Sequence, residues 1–247
     1  MKIGESMIEP RQHGHFKING ASIYYRIYGG GEQTLFFLHG NGEDWTCFQK
    51  QITYFAKDYR VVTMDSRGHG KSGVSYYPLT IKQLAKDTAV LITKLQLTNL
   101  TLIGFSDGGN IAIEMVVHEL VNVERMVIAG ANLNPRGIKM RYQLPIILGH
   151  RALAVVAKAL PKLRVREQIL GLMTQQPNIK AVQLQKVAIP TLVIAGEKDM
   201  IQTKHTKHIA ALLRDSTLVI IPKADHFVFT KQSEQVNNLV KAFVESH

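Results

Sequence analysis

A single cysteine, Cys47, occurs among the 247 residues, so no internal disulfide bond can form. No apolar run is long enough to cross a bilayer, and residues 1–6 lack the apolar block of a secretory signal. Histidine and cysteine do not cluster as metal ligands do, so neither a metal nor an organic cofactor is expected. These absences predict a protein of the reducing cytoplasm, with Cys47 as a buried helix residue and not a nucleophile.

Acidic residues are scarce in one part of the chain. The whole sequence has 30 lysines and arginines against 19 aspartates and glutamates. Between residues 131 and 187, however, there are ten basic residues and a single acidic one, Glu167. The same part has one aromatic residue, Tyr142, so it lacks the stacking surface of a nucleic-acid binder. Its excess charge predicts a solvated face or a site that attracts an anionic ligand, with an anionic membrane surface as a further alternative.

Buried strands alternate with helices along most of the chain. Apolar runs typical of strands lie at residues 16–19, 22–28, 34–38, 60–64, 100–103, 125–129, 191–195 and 217–221. Helical patterns lie at residues 45–57, 80–95, 110–119, 204–213 and 234–246. This alternation predicts an α/β fold with a doubly wound, mostly parallel sheet that helices cover on both faces.

Residues 133–186 interrupt the alternation after the sixth strand. The segment is helix-prone, and its prolines at 135, 145, 161 and 177 predict several short helices. Its position predicts a basic helical cap, or lid, inserted into a core formed by residues 1–132 and 187–247. The cap is expected to pack its apolar side over an acyl pocket, so substrate-binding residues are expected within it.

The pentapeptide Gly104-Phe105-Ser106-Asp107-Gly108 lies between a predicted strand and a predicted helix. A Gly-x-Ser-x-Gly sequence in this position forces a sharp, strained turn that exposes the serine hydroxyl at the end of the sheet. The helix N-terminus beside the serine offers free N–H groups and a partial positive charge. Ser106 is therefore the predicted nucleophile, provided that the chain supplies a base and an orienting acid.

A histidine and a carboxylate follow the last two predicted strands. His226 lies on the loop after the final strand and is the predicted base. Asp199 lies a few residues beyond the strand that ends at residue 195, where it can orient the imidazole. Glu197 and Asp225 are nearby carboxylates that are expected to be solvated. The loop after residue 129 offers no acid, which favours Asp199.

A second oxyanion donor is expected after the strand at residues 34–38. There the chain continues His39-Gly40-Asn41-Gly42, whose small residues let the backbone approach a substrate. The backbone N–H groups of Asn41 and Asp107 are the predicted oxyanion pair. His39 is expected to be a structural histidine bonded to the loop backbone.

Five elements of the chain together resemble the α/β-hydrolase fold superfamily in their order. They are His39-Gly40, Asp65 to Ser72, the turn at Ser106, Gly196-x-x-Asp199 and Asp225-His226. The resemblance implies the triad order Ser106, Asp199, His226, and it implies that Asp65 and His69 belong to a structural turn. The Gly-Phe-Ser-Asp-Gly-Gly sequence looks most like small esterases and amino-acid-ester hydrolases. A serine in place of an aspartate nucleophile argues against epoxide hydrolases and haloalkane dehalogenases.

These residues predict a serine hydrolase that cleaves carboxylic esters through an acyl-enzyme, with a small-molecule ester, neutral or anionic, as its substrate. Thioesterase, amidase, carbon–carbon bond hydrolase and cofactor-free perhydrolase remain alternatives because the serine turn does not separate them. A small-molecule receptor with vestigial hydrolysis and a basic adaptor for nucleic acid or membrane are alternatives from other classes. No nucleic-acid partner and no stable membrane insertion are expected.

Overall fold

The computed structural model describes residues 8–75 and 78–247 of the chain, and one sheet of eight strands organises them. The strands are β1 (Gln12–Ile18), β2 (Ala21–Tyr28), β3 (Thr34–Leu38), β4 (Arg60–Met64), β5 (Leu100–Phe105), β6 (Arg125–Ala129), β7 (Thr191–Gly196) and β8 (Ser216–Ile221). Their order is β1-β2-β4-β3-β5-β6-β7-β8. β2 pairs antiparallel with β1 and β4, and the six strands from β3 to β8 run parallel. The predicted α/β class and mostly parallel sheet are confirmed.

Helices connect the parallel strands. They are α1 (Gln49–Phe55), α2 (Ile81–Lys94), α3 (Asp107–Val117), α4 (Met140–Ala159), α5 (Arg164–Gln175), α6 (Ala181–Leu184), α7 (Thr203–Leu212), α8 (Val228–Lys231) and α9 (Ser233–Ser246). Short 3-10 helices occupy Trp45–Phe48, Pro135–Gly137 and Pro161–Leu163. The helix expected at residues 45–57 is thus a 3-10 turn followed by α1, and α8 was not predicted.

The sheet has a hydrophobic core on each face because alternate side chains of a strand point to opposite sides. Phe36 of β3 belongs to the core that contains Ile111 of α3 and also includes side chains of α2. Its neighbour Phe37 belongs to the other core, with Phe55 of α1 and Val240 of α9. Burial on both faces explains why these strands are continuous apolar runs in the sequence.

The parallel direction of β3, β5, β7 and β8 brings their carboxyl ends to one edge of the sheet. Leu38 pairs with Gly104, and Gly196 pairs with Ile221, so the loops that follow these strands begin side by side. Open α/β sheets bind ligands at this edge. The loops beginning at residues 39, 106, 197 and 222 therefore lie where the sequence predicts the site.

The segment between β6 and β7 contains longer helices than predicted. α4 extends over 20 residues and contains Pro145, so the prediction that this proline ends a helix was wrong. Pro145 removes one backbone hydrogen bond, to the carbonyl of Arg141, and both residues are exposed. Water can reach that carbonyl, which lowers the free-energy cost of the missing bond.

The apolar residues of this segment do not all face inward as expected. Ile146, Ile147 and Leu153 are partly buried. Four others that were expected to pack over an acyl pocket are instead exposed: Leu148, Val155, Val156 and Leu160. For these four the prediction was wrong, because α4 buries only a narrow strip of its surface.

The described residues hold neither a membrane-crossing helix nor an evident metal cluster. Within residues 8–75 and 78–247, no helix combines the length and the apolar character needed to cross a bilayer. In the same ranges no three histidine, cysteine or carboxylate side chains are grouped so that they could hold a metal ion. Residues 1–7, which carry the signal-peptide expectation and the start of the predicted core, lie outside the described residues.

Candidate active site

Ser106 stands at the turn between β5 and α3 in a strained backbone conformation. Its φ of 53° and ψ of −118° lie in a region that non-glycine residues rarely adopt. The flanking glycines are required by close packing, since a Cβ on Gly108 would overlap the carbonyl of Leu38 and one on Gly104 would overlap the backbone of Gly108. The sequence therefore forms the predicted turn, with the serine at the carboxyl edge of the sheet.

His226 connects Ser106 and Asp199 by hydrogen bonds. Its Nε2 lies 3.0 Å from Ser106 Oγ and its Nδ1 lies 2.7 Å from Asp199 Oδ1. The carboxylate accepts a hydrogen bond from the Nδ1–H group, which leaves the unprotonated Nε2 to accept the serine proton. Asp199 Oδ1 also accepts the N–H of Ile201 at 2.8 Å, which fixes the carboxylate. The structure thus brings the three predicted side chains together in the predicted order.

Gly130, directly after β6, makes room for the imidazole. Its φ is 64°, and a Cβ there would collide with the ring of His226. Sequence reasoning considered this loop only as a source of an acid and missed the glycine. A glycine immediately after a buried strand was the available signal, because such a position often marks a close backbone approach.

Asn41 and Asp107, the two predicted oxyanion residues, are linked to each other by their side chains. Asn41 Nδ2 donates to Asp107 Oδ2 at 2.9 Å and to the carbonyl of Ile169 in α5 at 2.7 Å. Within the described residues no hydrogen bond from the backbone N–H of either residue is found. Neither N–H group is therefore engaged within the described residues, as an oxyanion donor requires.

Asp107 lies in a buried polar network that the sequence analysis missed. Asn110 Nδ2 donates to Asp107 Oδ1 at 3.1 Å and lies 3.2 Å from Asn132 Oδ1. Asn110 Oδ1 accepts the N–H of Asn132 at 2.8 Å. Burial raises the pKa of Asp107, and the amide donors Asn41 and Asn110 oppose that shift. An asparagine in the first turn of α3, directly after the serine turn, was the signal that could have revealed this network.

Glu43 holds the loop of Asn41 by a hydrogen bond to its backbone. Its Oε2 accepts the N–H of Gly40 at 3.1 Å, and burial raises the pKa of its carboxyl group. A Cβ on Gly40 would touch Glu43 Oε2 and come within 3.2 Å of Ser106 Cβ, so this carboxyl lies close to the nucleophile. Nothing in the sequence pattern distinguished Glu43 from a solvated loop residue.

His39, Asp65 and His69 hold the turn after β4. His39 Nδ1 donates to the carbonyl of Gly40 at 2.8 Å and its Nε2 accepts the N–H of Ser66 at 2.9 Å. Burial lowers the pKa of His39, which suits this neutral, bonded form. Asp65 accepts two backbone N–H groups, at 3.1 and 2.8 Å. These contacts agree with the expected structural roles.

The other candidate side chains lie outside this arrangement. Glu197 accepts the backbone N–H of Lys223 at 2.7 Å, and Asp225 pairs with Lys231 at the surface. Cys47 is partly buried, and burial raises the pKa of its thiol, so the reactive thiolate is disfavoured.

A cavity of about 570 Å³ opens beside Asn41. One wall is the loop of residues 41–44 and another is the turn of residues 68–70, while residues of α5 and the preceding turn close it. Val165, Ile169 and Leu170 give an apolar lining. The charged lining is mixed, since it includes Lys162 and Arg166 as well as the carboxylates of residues 43 and 44.

Known proteins resemble this chain over most of its length. The family model for serine aminopeptidase, S33, matches residues 31–183. A 3-oxoadipate enol-lactonase from Acinetobacter baylyi is 26% identical, covering 94% of this chain and 97% of its own. The mouse serine hydrolase BPHL is 28% identical, covering 92% and 84%. The crystal structure of an enol-lactonase from Burkholderia xenovorans shares the fold, with a TM-score of 0.79, 19% identity and coverage of 94% and 100%.

Proposed function

Because the chain belongs to the serine aminopeptidase S33 family of hydrolases, within the α/β-hydrolase superfamily, we propose that it cleaves carboxylic esters through an acyl-enzyme. The observation that carries this proposal is the hydrogen-bonded chain from Ser106 through His226 to Asp199, at 3.0 and 2.7 Å. Similarity to an enol-lactonase, whose named substrate is a cyclic ester, supports ester chemistry in particular.

In the proposed mechanism, Ser106 attacks the ester carbonyl while His226 Nε2 takes its proton. Asp199 stabilises the imidazolium that forms. The backbone N–H groups of Asn41 and Asp107 bind the oxyanion of the tetrahedral intermediate, and each such donor typically lowers the barrier by about 3 kcal/mol. His226 then protonates the departing alcohol, and a water activated by the same imidazole hydrolyses the acyl-enzyme.

We place an acyl or alcohol group of the substrate in the cavity beside Asn41, whose lining includes residues of the 133–186 segment but neither Ser106 nor His226. The apolar side chains of Val165, Ile169 and Leu170 support this placement because they suit an acyl or alcohol group of modest size. The lining holds carboxylates as well as cations, so a neutral ester fits the cavity at least as well as an anionic one.

Labelling with a fluorophosphonate probe tests the nucleophile. The probe should modify Ser106, identified by mass spectrometry of the digested protein, and Ser106→Ala should abolish both labelling and hydrolysis of nitrophenyl butyrate. A folded protein that hydrolyses esters without an adduct on Ser106 would refute the proposed mechanism.

A panel of matched substrates then tests which type of bond the protein cleaves. Esters, lactones, thioesters and anilides with the same acyl group should be compared by kcat/KM, together with hydrogen peroxide as an acceptor and a carbon–carbon bond hydrolase substrate. The proposal predicts that esters and lactones lead the ranking. A higher kcat/KM for anilides would instead identify an amidase, and ligand binding with negligible turnover would favour a receptor.

A further inference from the structure

The solvent face of α4 is unusually apolar. Of the large hydrophobic side chains that are exposed in residues 8–75 and 78–247, most lie between residues 140 and 160. They are Met140, Tyr142, Leu144, Leu148, Val155, Val156 and Leu160. Scattered exposed apolar residues are ordinary, but their concentration on one helix marks an interaction surface.

The way α4 packs explains which side is left free. Its buried residues Gln143, His150 and Ala157 recur every seven positions and face the body of the protein. Gln143 donates to the carbonyl of Met173 at 3.1 Å, and His150 lies 3.0 Å from Glu167 Oε1, so this side is held on α5.

The opposite side of the helix carries a continuous row of small and large apolar residues. The row, called the α4 stripe below, consists of Leu144, Leu148, Ala152, Val155 and Ala159. Spacings of four, four, three and four residues place these side chains on one face. Its large members are 50%, 56% and 67% exposed.

Cations flank the stripe without acidic neighbours on the same helix. α4 contains no aspartate or glutamate, and its Arg141, Arg151 and Lys158 are exposed. The one acidic residue between positions 131 and 187, Glu167, faces His150 on the inner side. Long basic side chains can lay their stems along an apolar surface while their charges reach outward.

We propose that the α4 stripe docks peripherally on an anionic lipid bilayer surface. Such a surface is complementary in both respects, because acyl chains accept the apolar residues and anionic headgroups attract the cations. A second copy of the chain would place two strongly basic segments against each other, which is repulsive. A nucleic acid would leave the apolar stripe unused.

The test measures binding of the full chain to sedimenting vesicles of phosphatidylcholine, with and without phosphatidylglycerol. Binding should require the anionic lipid and weaken as salt rises, because the headgroup attraction is screened. Equal binding to vesicles of phosphatidylcholine alone, or no binding to either, would overturn the proposal.

Two sets of variants separate the apolar and the electrostatic parts. Leu148→Gln with Val155→Gln should lower the vesicle partition coefficient at least about tenfold, and so should joint replacement of Arg141, Arg151 and Lys158 by glutamine. Matched controls are Val182→Gln, an equally exposed apolar residue of α6, and joint replacement of Lys57, Lys82 and Lys86 by glutamine.

The controls should bind vesicles as the parent protein does, and thermal melting should show that every variant is folded. If the stripe variant binds as tightly as the parent, the proposal fails. Two further results would also overturn it: duplex DNA binding that survives the stripe variant and displaces the vesicles, or a dimer in light scattering that this variant dissociates. If the stripe variant unfolds, the charge variant alone decides.

Discussion

At the scale of single residues, Asp199 is expected to set the tautomer of His226. In Asp199→Asn the amide would donate to Nδ1, so the imidazole would present Nε2–H to Ser106 and could not accept its proton. We predict that kcat/KM for nitrophenyl butyrate falls about 10³–10⁴-fold. The control is Asp225→Asn, which changes a carboxylate of the histidine loop that pairs with Lys231 instead. An Asp199→Asn enzyme with more than a tenth of the parent activity would contradict the assignment.

His69 gives the protein a pH-dependent stability. Burial, followed by the nearby His39 ring at 5.1 Å, lowers the pKa of His69 from 6.5 to about 4. The unfolded chain therefore binds a proton that the folded chain excludes, and stability present above pH 6.5 is lost as the pH falls toward 4. This one residue should account for about 2–3 kcal/mol of the stability lost between pH 7.5 and 4.5.

Urea unfolding of the parent and of His69→Gln at these two pH values measures that contribution. The variant should be less sensitive to pH, whereas His13→Gln, which removes an exposed histidine, should behave as the parent does. Parallel pH profiles for the parent and His69→Gln would show that the buried ring does not carry the effect.

The sequence identifies the reacting groups more readily than the residues that support them. Ser106, His226 and Asp199 were predictable because each follows a recognisable strand, and parallel strands end at one edge. Asn110, Gly130 and Glu43 were missed, since each also acts on a residue farther along the chain, namely Asn132, His226 and Ser106. The link between Asn41 and the carbonyl of Ile169 joins positions 128 residues apart, and nothing local encodes it.

At the scale of secondary-structure elements, a buried ion pair joins the turn after β4 to α2. The guanidinium of Arg67 donates to both carboxylate oxygens of Asp87, at 2.7 and 2.8 Å, and both side chains are fully buried. Arg67 also donates to the carbonyls of Ile18 and Asn19, so the opening hairpin is held by the same side chain. Removing one partner leaves an uncompensated buried charge.

We predict that Arg67→Met destabilises the protein by about 3–5 kcal/mol in urea unfolding. Adding Asp87→Leu should recover much of that loss, because an apolar pair of similar volume needs no desolvation of charge. If the double variant is as unstable as the single one, the hairpin contacts of Arg67, and not the ion pair, determine the stability.

Strands were predicted better than the helices between β6 and β7. The six parallel strands match the apolar runs to within two residues, because most of their side chains are apolar and buried. α4 was predicted poorly because its one proline, Pro145, and its exposed apolar residues follow neither a solvent-facing nor a core-facing pattern. Tertiary contacts with α5 hold it through a few positions only.

At the scale of the whole molecule, the predicted division into a core and a 133–186 cap implies that most of the cap can be removed while the core still folds. Residues before and after this segment contribute strands to the same sheet, whereas the segment itself contributes none. Gln143 Nε2 lies 3.1 Å from the carbonyl of Met173, so the chain can be rejoined there across a short distance. A flexible linker of about five glycines and serines is long enough to replace residues 144–172.

We predict that this deletion leaves a folded sheet, with lower thermal stability because Leu172 is lost from the core. Ser106 should still react with a fluorophosphonate, since β5, β7 and β8 and their loops are unchanged. The deletion also removes the Ile169 carbonyl that Asn41 contacts and the wall of the adjacent cavity. KM for nitrophenyl esters should therefore rise. If far-UV circular dichroism shows that the deletion variant is unfolded, the prediction is wrong and the segment is an integral part of the core.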